Sequence, residues 1–213
     1  YKFDVYGTKP LSRQEIYIDA NTGKVLFSNN LIKHAIGNSR YSGPVPISTP
    51  FDGPSGGFIL HDLTRGGGVH TFDMGGSTSY GSASEFVSVF DTWPVLTNDS
   101  VAIDAQWGGE RVYDYFMGVH GRNSYDNLGS VMEQYVHYDV GYNNAFWNGS
   151  VMTYGDGTGC GTGFTPLTSL DVTAHEVGHG ICQWTAGLFY EGESGAMNEG
   201  FSDCWGAAVE NWA

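Results

Sequence analysis

Residues 175–179 read His-Glu-Val-Gly-His, and residues 198–203 read Asn-Glu-Gly-Phe-Ser-Asp. On a helix, residues i and i+4 share a face. His175 and His179 therefore aim two imidazoles at one point, with Glu176 beside them. Neutral imidazoles at this spacing suit zinc, and a carboxylate beside them can reach a water that the metal activates. Taken alone, the pair could also be two surface or core histidines at chance spacing. Catalytic zinc takes a third protein ligand and keeps one position open. Glu199 supplies that ligand if the break at 187–195 returns the chain as a second helix packed on the first. Glu199 and Asp203 are again four apart, so Asp203 can accept a proton from a ligand histidine while Glu199 binds the metal. The two motifs thus require a pair of helices in close contact.

The rest of the chain is strand-like first and helical last. Residues 1–7 alternate, and 15–28 read as apolar run, polar turn with Gly23, apolar run, the signature of a β-hairpin. Residues 34–44 are polar and contain glycine, which predicts an exposed linker. Short β-type runs at 57–63, 68–74 and 85–90 predict an irregular antiparallel sheet. Residues 102–120 read as a helix with Asp104 near its start, where a carboxylate complements the dipole, although Gly108 and Gly109 interrupt the pattern. Residues 128–140 pass from an ambiguous segment into a strand. Residues 142–157 predict two edge-type strands around a tight turn at Asn148–Gly149. From about residue 169, Val177, Ile181, Trp184 and Leu188 form one stripe of a helix, and a second helix runs over about 196–210. This order gives an α+β fold.

Charge divides the chain near residue 34. Five of its nine Lys and Arg residues precede that point with three acids, whereas the remainder has no lysine and twenty acids. Two functional pieces are the expected consequence. The net charge of −14 repels phosphate backbones and anionic headgroups, so neither nucleic acid nor a membrane is an expected partner. Clustered carboxylates do attract hard cations such as calcium. No apolar run reaches eighteen residues, and residues 1–7 lack the build of a signal peptide, so any export signal lies upstream. Cys160, Cys182 and Cys204 fit one bridge plus a free thiol, or three unrelated thiols, and have no C-x2-C pair for a metal.

The stretch "HEVGHGICQWTAGLFYEGESGAMNEGFSD" resembles the active-site region of the thermolysin-like (bacillolysin) family of secreted bacterial neutral metalloproteases. "AIDAQWGGERVYDYFMGVHGRNSYD", "VHYDVGYNNAFWNG" and "MTYGDG" resemble upstream family segments in order. "FILHDLTRGGGVHTFDM" resembles the early sheet of the mature enzyme, and residues 1–30 resemble the end of the family's propeptide. The resemblance implies an antiparallel β-rich region followed by zinc-binding helices. It implies residues 1–35 as the C-terminal end of a propeptide and 36–213 as the N-terminal domain of the peptidase. The helical C-terminal domain would then lie outside this chain, on a longer or a second chain.

It further implies His175, His179 and Glu199 as zinc ligands, Glu176 as general base, Asp203 as the partner of His175 and Tyr190 as a stabiliser of the oxyanion. Asn144 and Ala145 would hold an extended peptide or protein substrate by main-chain hydrogen bonds. Phe164, Leu167 and Val172 would line the specificity pocket, and Asp171 and Glu210 would bind calcium. The implied protein is a secreted zinc metalloendopeptidase, made as a zymogen and using no covalent intermediate; no G-x-S-x-G is present to compete. Two rivals stay open at this point. One is a catalytically idle zinc- and peptide-binding module of the same fold. The other is a calcium-stabilised β-rich surface protein whose His-Glu-Val-Gly-His is accidental.

Overall fold

The computed structural model describes residues 1–8, 11–30, 34–90, 93 and 99–213, which separate into two units, Tyr1–His34 and Ala35–Ala213. The first is an antiparallel sheet of β1 (Lys2–Thr8), β2 (Leu11–Ile18) and β3 (Val25–Asn30), with β2 in the middle. The β2–β3 turn closes on Asp19, whose Oδ1 accepts the N–H groups of Asn21 and Thr22. Gly23 supplies the positive φ of 68° that the turn requires.

The second unit opens on paired strands β4 (His34–Ser39) and β5 (Gly43–Ser48), which corrects the linker predicted over 34–44. Ala35, Gly37 and Ser39 point inward, in alternation with an exposed Ile36, and the turn at 40–42 is exposed. The polarity of this segment answers a buried partner, not solvent. Ser39 Oγ donates to Asp104 Oδ1, and the N–H groups of Arg40 and Tyr41 reach the same oxygen at 3.1 and 3.4 Å. Asp104 is therefore not the start of its helix. Helix α1 (Ser100–His120) begins earlier, with Asp99 as N-cap accepting from the N–H groups of Val101 and Ala102. Burial pushes Asp104 up to about 6, against the pull of its hydrogen bonds.

Strands β6 (Phe51–Asp52), β7 (Gly57–Ile59), β8 (His61–Asp62), β9 (Val69–Asp73), β10 (Ser84–Glu85) and β11 (Val87–Ser88) pair antiparallel, as read. The run at 85–90 is divided at Phe86. β10 joins β9, whereas β11 joins β7 in a small sheet. The main sheet adds β12 (Met132–Val136), β13 (Ala145–Trp147) and β14 (Met152–Tyr154), in the order β10-β9-β12-β14-β13 with β8 also on β9. β12 runs parallel to both β9 and β14. Helix α1, lying between β9 and β12 in sequence, supplies the crossover that a parallel pair needs. Of β13 and β14, β13 alone lies at an edge. β14 is interior and wholly buried, which corrects the reading of two edge-type strands. Their turn is centred on Gly149 and Ser150, and Asn148 opens it by accepting the N–H groups of Ser150 and Val151.

Gly108 and Gly109 do not interrupt α1; they are where its neighbours come closest. A Cβ at 108 would stand 3.0 Å from Thr173 Oγ1, and one at 109 would stand 2.6 Å from Gln134 Nε2. Helices α2 (Leu170–Trp184) and α3 (Gly192–Trp212) complete the unit. Val177 and Ile181 are buried as predicted, but Trp184 is 51 % exposed and Leu188 lies outside the helix. The stripe fails there because α2 ends first: the Gly187 N–H turns back to the Cys182 carbonyl at 2.8 Å, with Gly187 at a φ of 58°. Among the described residues no helix is long and apolar enough to cross a membrane.

Between β8 and β9, Arg65 is fully buried among carboxylates. It makes a bidentate pair with Asp114 at 2.9 and 3.0 Å and donates to Asp62 at 2.9 Å. Glu110 Oε2 lies 3.2 Å from the same guanidinium but off its hydrogen-bond line, while Oε1 accepts from the Ser48 N–H and from Gln106. Burial pushes Glu110 up to about 7, against the pull of Arg65. The folded state therefore holds this proton more tightly than the unfolded chain, whose value is near 4.5. The resulting stability is full below about 4.5 and is lost as pH rises through about 7. Glu110→Gln, which mimics the protonated form, should thus gain on the wild type by on the order of 2 kcal/mol between pH 5 and pH 8. Melting curves of the two full-length proteins across that range check this; a gap that does not move with pH would contradict it.

Candidate metal centre

The helix pair predicted from the two motifs forms because small residues line its seam. A Cβ at Gly178 would stand 3.0 Å from the Ser202 Cα, and one at Gly206 would stand 2.9 Å from the Asp171 carbonyl oxygen. The buried side of α3 is Gly195, Asn198, Ser202, Gly206 and Val209. With nothing bulkier between the helices, Glu199 reaches the α2 histidines. Its Oε2 lies 3.2 Å from His175 Nε2, and its Oε1 lies 3.8 Å from His179 Nε2. All three donor atoms fall within 4.8 Å of one another, the one such group of His, Cys, Asp and Glu among the described residues. A tetrahedral zinc ion spaces its donors about 3.4 Å apart, so this set fits one.

The other ring nitrogens are engaged. His175 Nδ1 lies 2.8 Å from Asp203 Oδ1, as expected from the i, i+4 spacing of Glu199 and Asp203. His179 Nδ1 lies 2.8 Å from Asn198 Oδ1 and 3.2 Å from Ser202 Oγ. Asn198 was not singled out in the sequence. Its signal was its place next to Glu199, one step round α3 toward the seam. Acceptors on both Nδ1 atoms fix the tautomer that leaves each Nε2 lone pair free for a metal. Burial lowers the pKa of His179, which favours the neutral ring.

Glu176 is 5 % exposed, and its Oε2 is buried without a hydrogen-bond partner in the protein. Burial pushes it up to about 8, partly offset by the Trp147 backbone N–H. An orphaned buried carboxylate oxygen beside three converging donors is what a bound cation and its water would complete. Both Glu176 and the donors line a cleft of about 780 Å³, which Asn144 and the following strand β13 also wall. That wall is tied to α2 by Gln183, which accepts from Trp147 Nε1 at 2.8 Å and donates to the Gly149 carbonyl at 3.1 Å.

Tyr190 stands at the mouth of the cleft, 69 % exposed, and its hydroxyl donates to Glu199 Oε1. A smaller cavity of about 360 Å³ adjoins the cleft past Asn144 and Ala145, lined by Leu167, Val172, Asp171 and Glu210. Asp171 and Glu210 thus face one space, without a third donor converging on them among the described residues. Phe164 lines neither cavity and is 61 % exposed. Its N–H donates to Asn143 Oδ1 at 2.9 Å. Cys160, Cys182 and Cys204 are free thiols.

Residues 34–183 match the family described as the thermolysin metallopeptidase catalytic domain, and residues 186–213 match the α-helical domain of the same peptidases. Bacillolysin of Brevibacillus brevis is 42 % identical over 92 % of this chain and 36 % of its own length. The transglutaminase-activating metalloprotease of Streptomyces mobaraensis is 42 % identical over 95 % of this chain and 26 % of its own. Thermolysin of Bacillus sp. (strain EA1) is 38 % identical over the whole of this chain and 41 % of its own. The chain therefore spans about a quarter to two fifths of the curated relatives it matches. Among solved structures, the precursor of protealysin, a metalloproteinase from Serratia proteamaculans, aligns with a TM-score of 0.59 and 33 % identity, over 68 % of this chain and 43 % of that one.

The hydrogen bond from Asn198 to His179 generates a prediction. Asn198→Ala should weaken zinc binding by roughly 10- to 100-fold, the usual effect of removing such a partner. Competition against a chromogenic chelator measures it, and unchanged affinity would remove Asn198 from the site.

Proposed function

The chain belongs to the thermolysin metallopeptidases, and we propose that the protein of which it is part is a secreted zinc metalloendopeptidase. The observation that carries this reading is the geometry of one cleft. Three donors converge there, both histidines are held by their far nitrogens, and a buried carboxylate stands beside them under an open edge strand. His175, His179 and Glu199 would hold the ion. When bound, zinc supplies a Lewis acid that polarises the scissile carbonyl and makes water acidic enough to attack near neutral pH.

The remaining work falls to side chains and backbone of this chain. An extended peptide adds to the free edge of β13, with the main chain at Asn144 and Ala145 fixing its register. A side chain next to the scissile bond enters the adjoining cavity between Leu167 and Val172. Phe164 does not line that cavity. Glu176 takes the proton of the attacking water and delivers it to the leaving amine, so no covalent intermediate forms. Tyr190 turns its hydroxyl from Glu199 to the developing oxyanion. Asp203 and Asn198 hold the two imidazoles.

Calcium between Asp171 and Glu210 would tie α2 to α3 at the far side of the second cavity. We assign residues 1–35 to the end of a propeptide and 36–213 to the peptidase, consistent with the separation of units and the break in charge at residue 34. The outward face of α3 exposes Ala196, Met197, Gly200, Phe201 and Cys204. Large apolar side chains left on an outward face invite a partner, and a downstream helical domain, on the same or a second chain, is the proposed cover.

Two tests follow. Glu176→Gln should lower kcat by roughly 10²- to 10⁴-fold yet retain zinc, whereas His179→Ala should lose both. Peptide hydrolysis and metal content of the full-length proteins read this out; near-normal turnover of Glu176→Gln would overturn the mechanism. Zinc with no hydrolysis in the wild type would identify an idle binding module instead. Calcium at a hundred times its dissociation constant should add about 2.7 kcal/mol of stability. The melting temperature should rise accordingly, and Glu210→Ala should blunt the rise; a curve indifferent to calcium would dismiss the site.

A further inference from the structure

His137, at the end of β12, has a φ of 57°, which turns its ring between carboxylates from two different elements. Nδ1 lies 2.9 and 2.8 Å from the two oxygens of Asp156, and Nε2 lies 2.9 Å from Asp99 Oδ2. With an acceptor on each side, both nitrogens carry protons and the ring is an imidazolium. Desolvation opposes that charge, but the two carboxylates prevail and raise the pKa to about 10. Among the described residues these two are the charged groups that hold the ring, and Phe86 packs its edge at 6.3 Å. Asp99 is itself fixed as the N-cap of α1. The ring therefore joins α1 to the turn that carries Asp156.

That turn holds the wall of the cleft. The Gly155 N–H donates to the Asn144 carbonyl at 3.0 Å, and the Gly157 N–H donates to the Tyr142 carbonyl at 2.9 Å. The Gly155 carbonyl accepts the Leu167 N–H at 3.1 Å. Residues 155–157 thus grip the backbone that leads into β13 and the residue that walls the smaller cavity. Neither glycine has room for a side chain: a Cβ at 155 would run into the Tyr142 carbonyl, and one at 157 into that of Phe164. Asp156 is the one side chain of this turn that can anchor it, and both its oxygens are given to His137.

We propose that His137 is a positioning residue of this peptidase: through Asp156 it sets the register of Asn144 and Ala145 against the metal donors, and so governs the binding of extended peptides and not the chemical step. The inference rests on the reading of β13 as the substrate strand. Its test uses the full-length, zinc-loaded protein as wild type, His137→Gln and Asp156→Asn, with a hexapeptide long enough to pair along β13 and a blocked dipeptide that is not. In His137→Gln, KM for the hexapeptide should rise about tenfold, with kcat within about twofold and zinc content unchanged. KM for the dipeptide should move less. Asp156→Asn keeps an acceptor for the ring and should shift the same parameter by less.

In the wild type, KM for the hexapeptide should also rise as the pH passes about 10, where the ring loses its proton, and that rise should be missing from His137→Gln. If His137→Gln does not fold, Asp156→Asn decides by the same split. A folded, zinc-loaded variant with wild-type KM, or one that loses kcat at constant KM, overturns the inference. A wild type that hydrolyses neither peptide sinks the peptidase reading alone, and the dissociation constant of the uncleaved hexapeptide then reads the same contrast between variants.

Discussion

The cleft depends on how closely α3 approaches α2. Gly178 meets Ser202, and Gly206 meets the backbone of Asp171, in a seam with no large side chain. Any Cβ at those glycines must displace backbone, and a shift of an ångström between the helices would carry Glu199 away from both imidazoles. The seam also delivers Asn198 and Asp203 to the Nδ1 atoms. One packing decision therefore fixes the donors, their tautomers and the distance between them. Helix propensity would argue against so many glycines; contact between the helices outweighs it.

The same exchange of propensity for close approach recurs at α1. Gly108 and Gly109 read as weak points in a helix, yet Thr173 and Gln134 press on them and the helix runs unbroken. Gln134, at the centre of the sheet, donates to the Ala105 carbonyl at 2.7 Å, and Thr71 donates to Gln106 at 2.9 Å. Sheet and helix are joined by buried polar contacts as well as by apolar packing. With Arg65 and its carboxylates, these contacts account for a core rich in groups that sequence patterning assigns to the surface.

That explains what could be read from the sequence and what could not. Signals confined to one element were legible: the i, i+4 pairs at 175/179 and 199/203, the hairpin with Gly23, and the two terminal helices. Features whose meaning lies in a distant partner were not. Residues 34–44 look like a linker until Asp104, over sixty positions away, is seen to receive Ser39 and the Arg40 N–H. Trp184 closes α2 with its ring exposed, and Leu188 continues the helical period past the point where Gly187 has already turned the chain. Asn198 and His137 have no spacing rule at all. Each became informative only when its hydrogen-bond partner came from another part of the fold.

Helix α3 has two tasks on opposite faces. One face carries Glu199, Asn198 and Asp203 to the histidines, and the other presents Met197 at 51 % and Phe201 at 43 % exposure. A layer that covered Met197 and Phe201 would press α3 onto α2, since burial of large apolar side chains is worth roughly 1.5–3 kcal/mol each. Its effect would reach the donors without touching them, because the seam of small residues transmits displacement and has no soft side chain to absorb it. A cover on the outer face of α3 and the three converging donors would therefore act on the same helix from opposite sides.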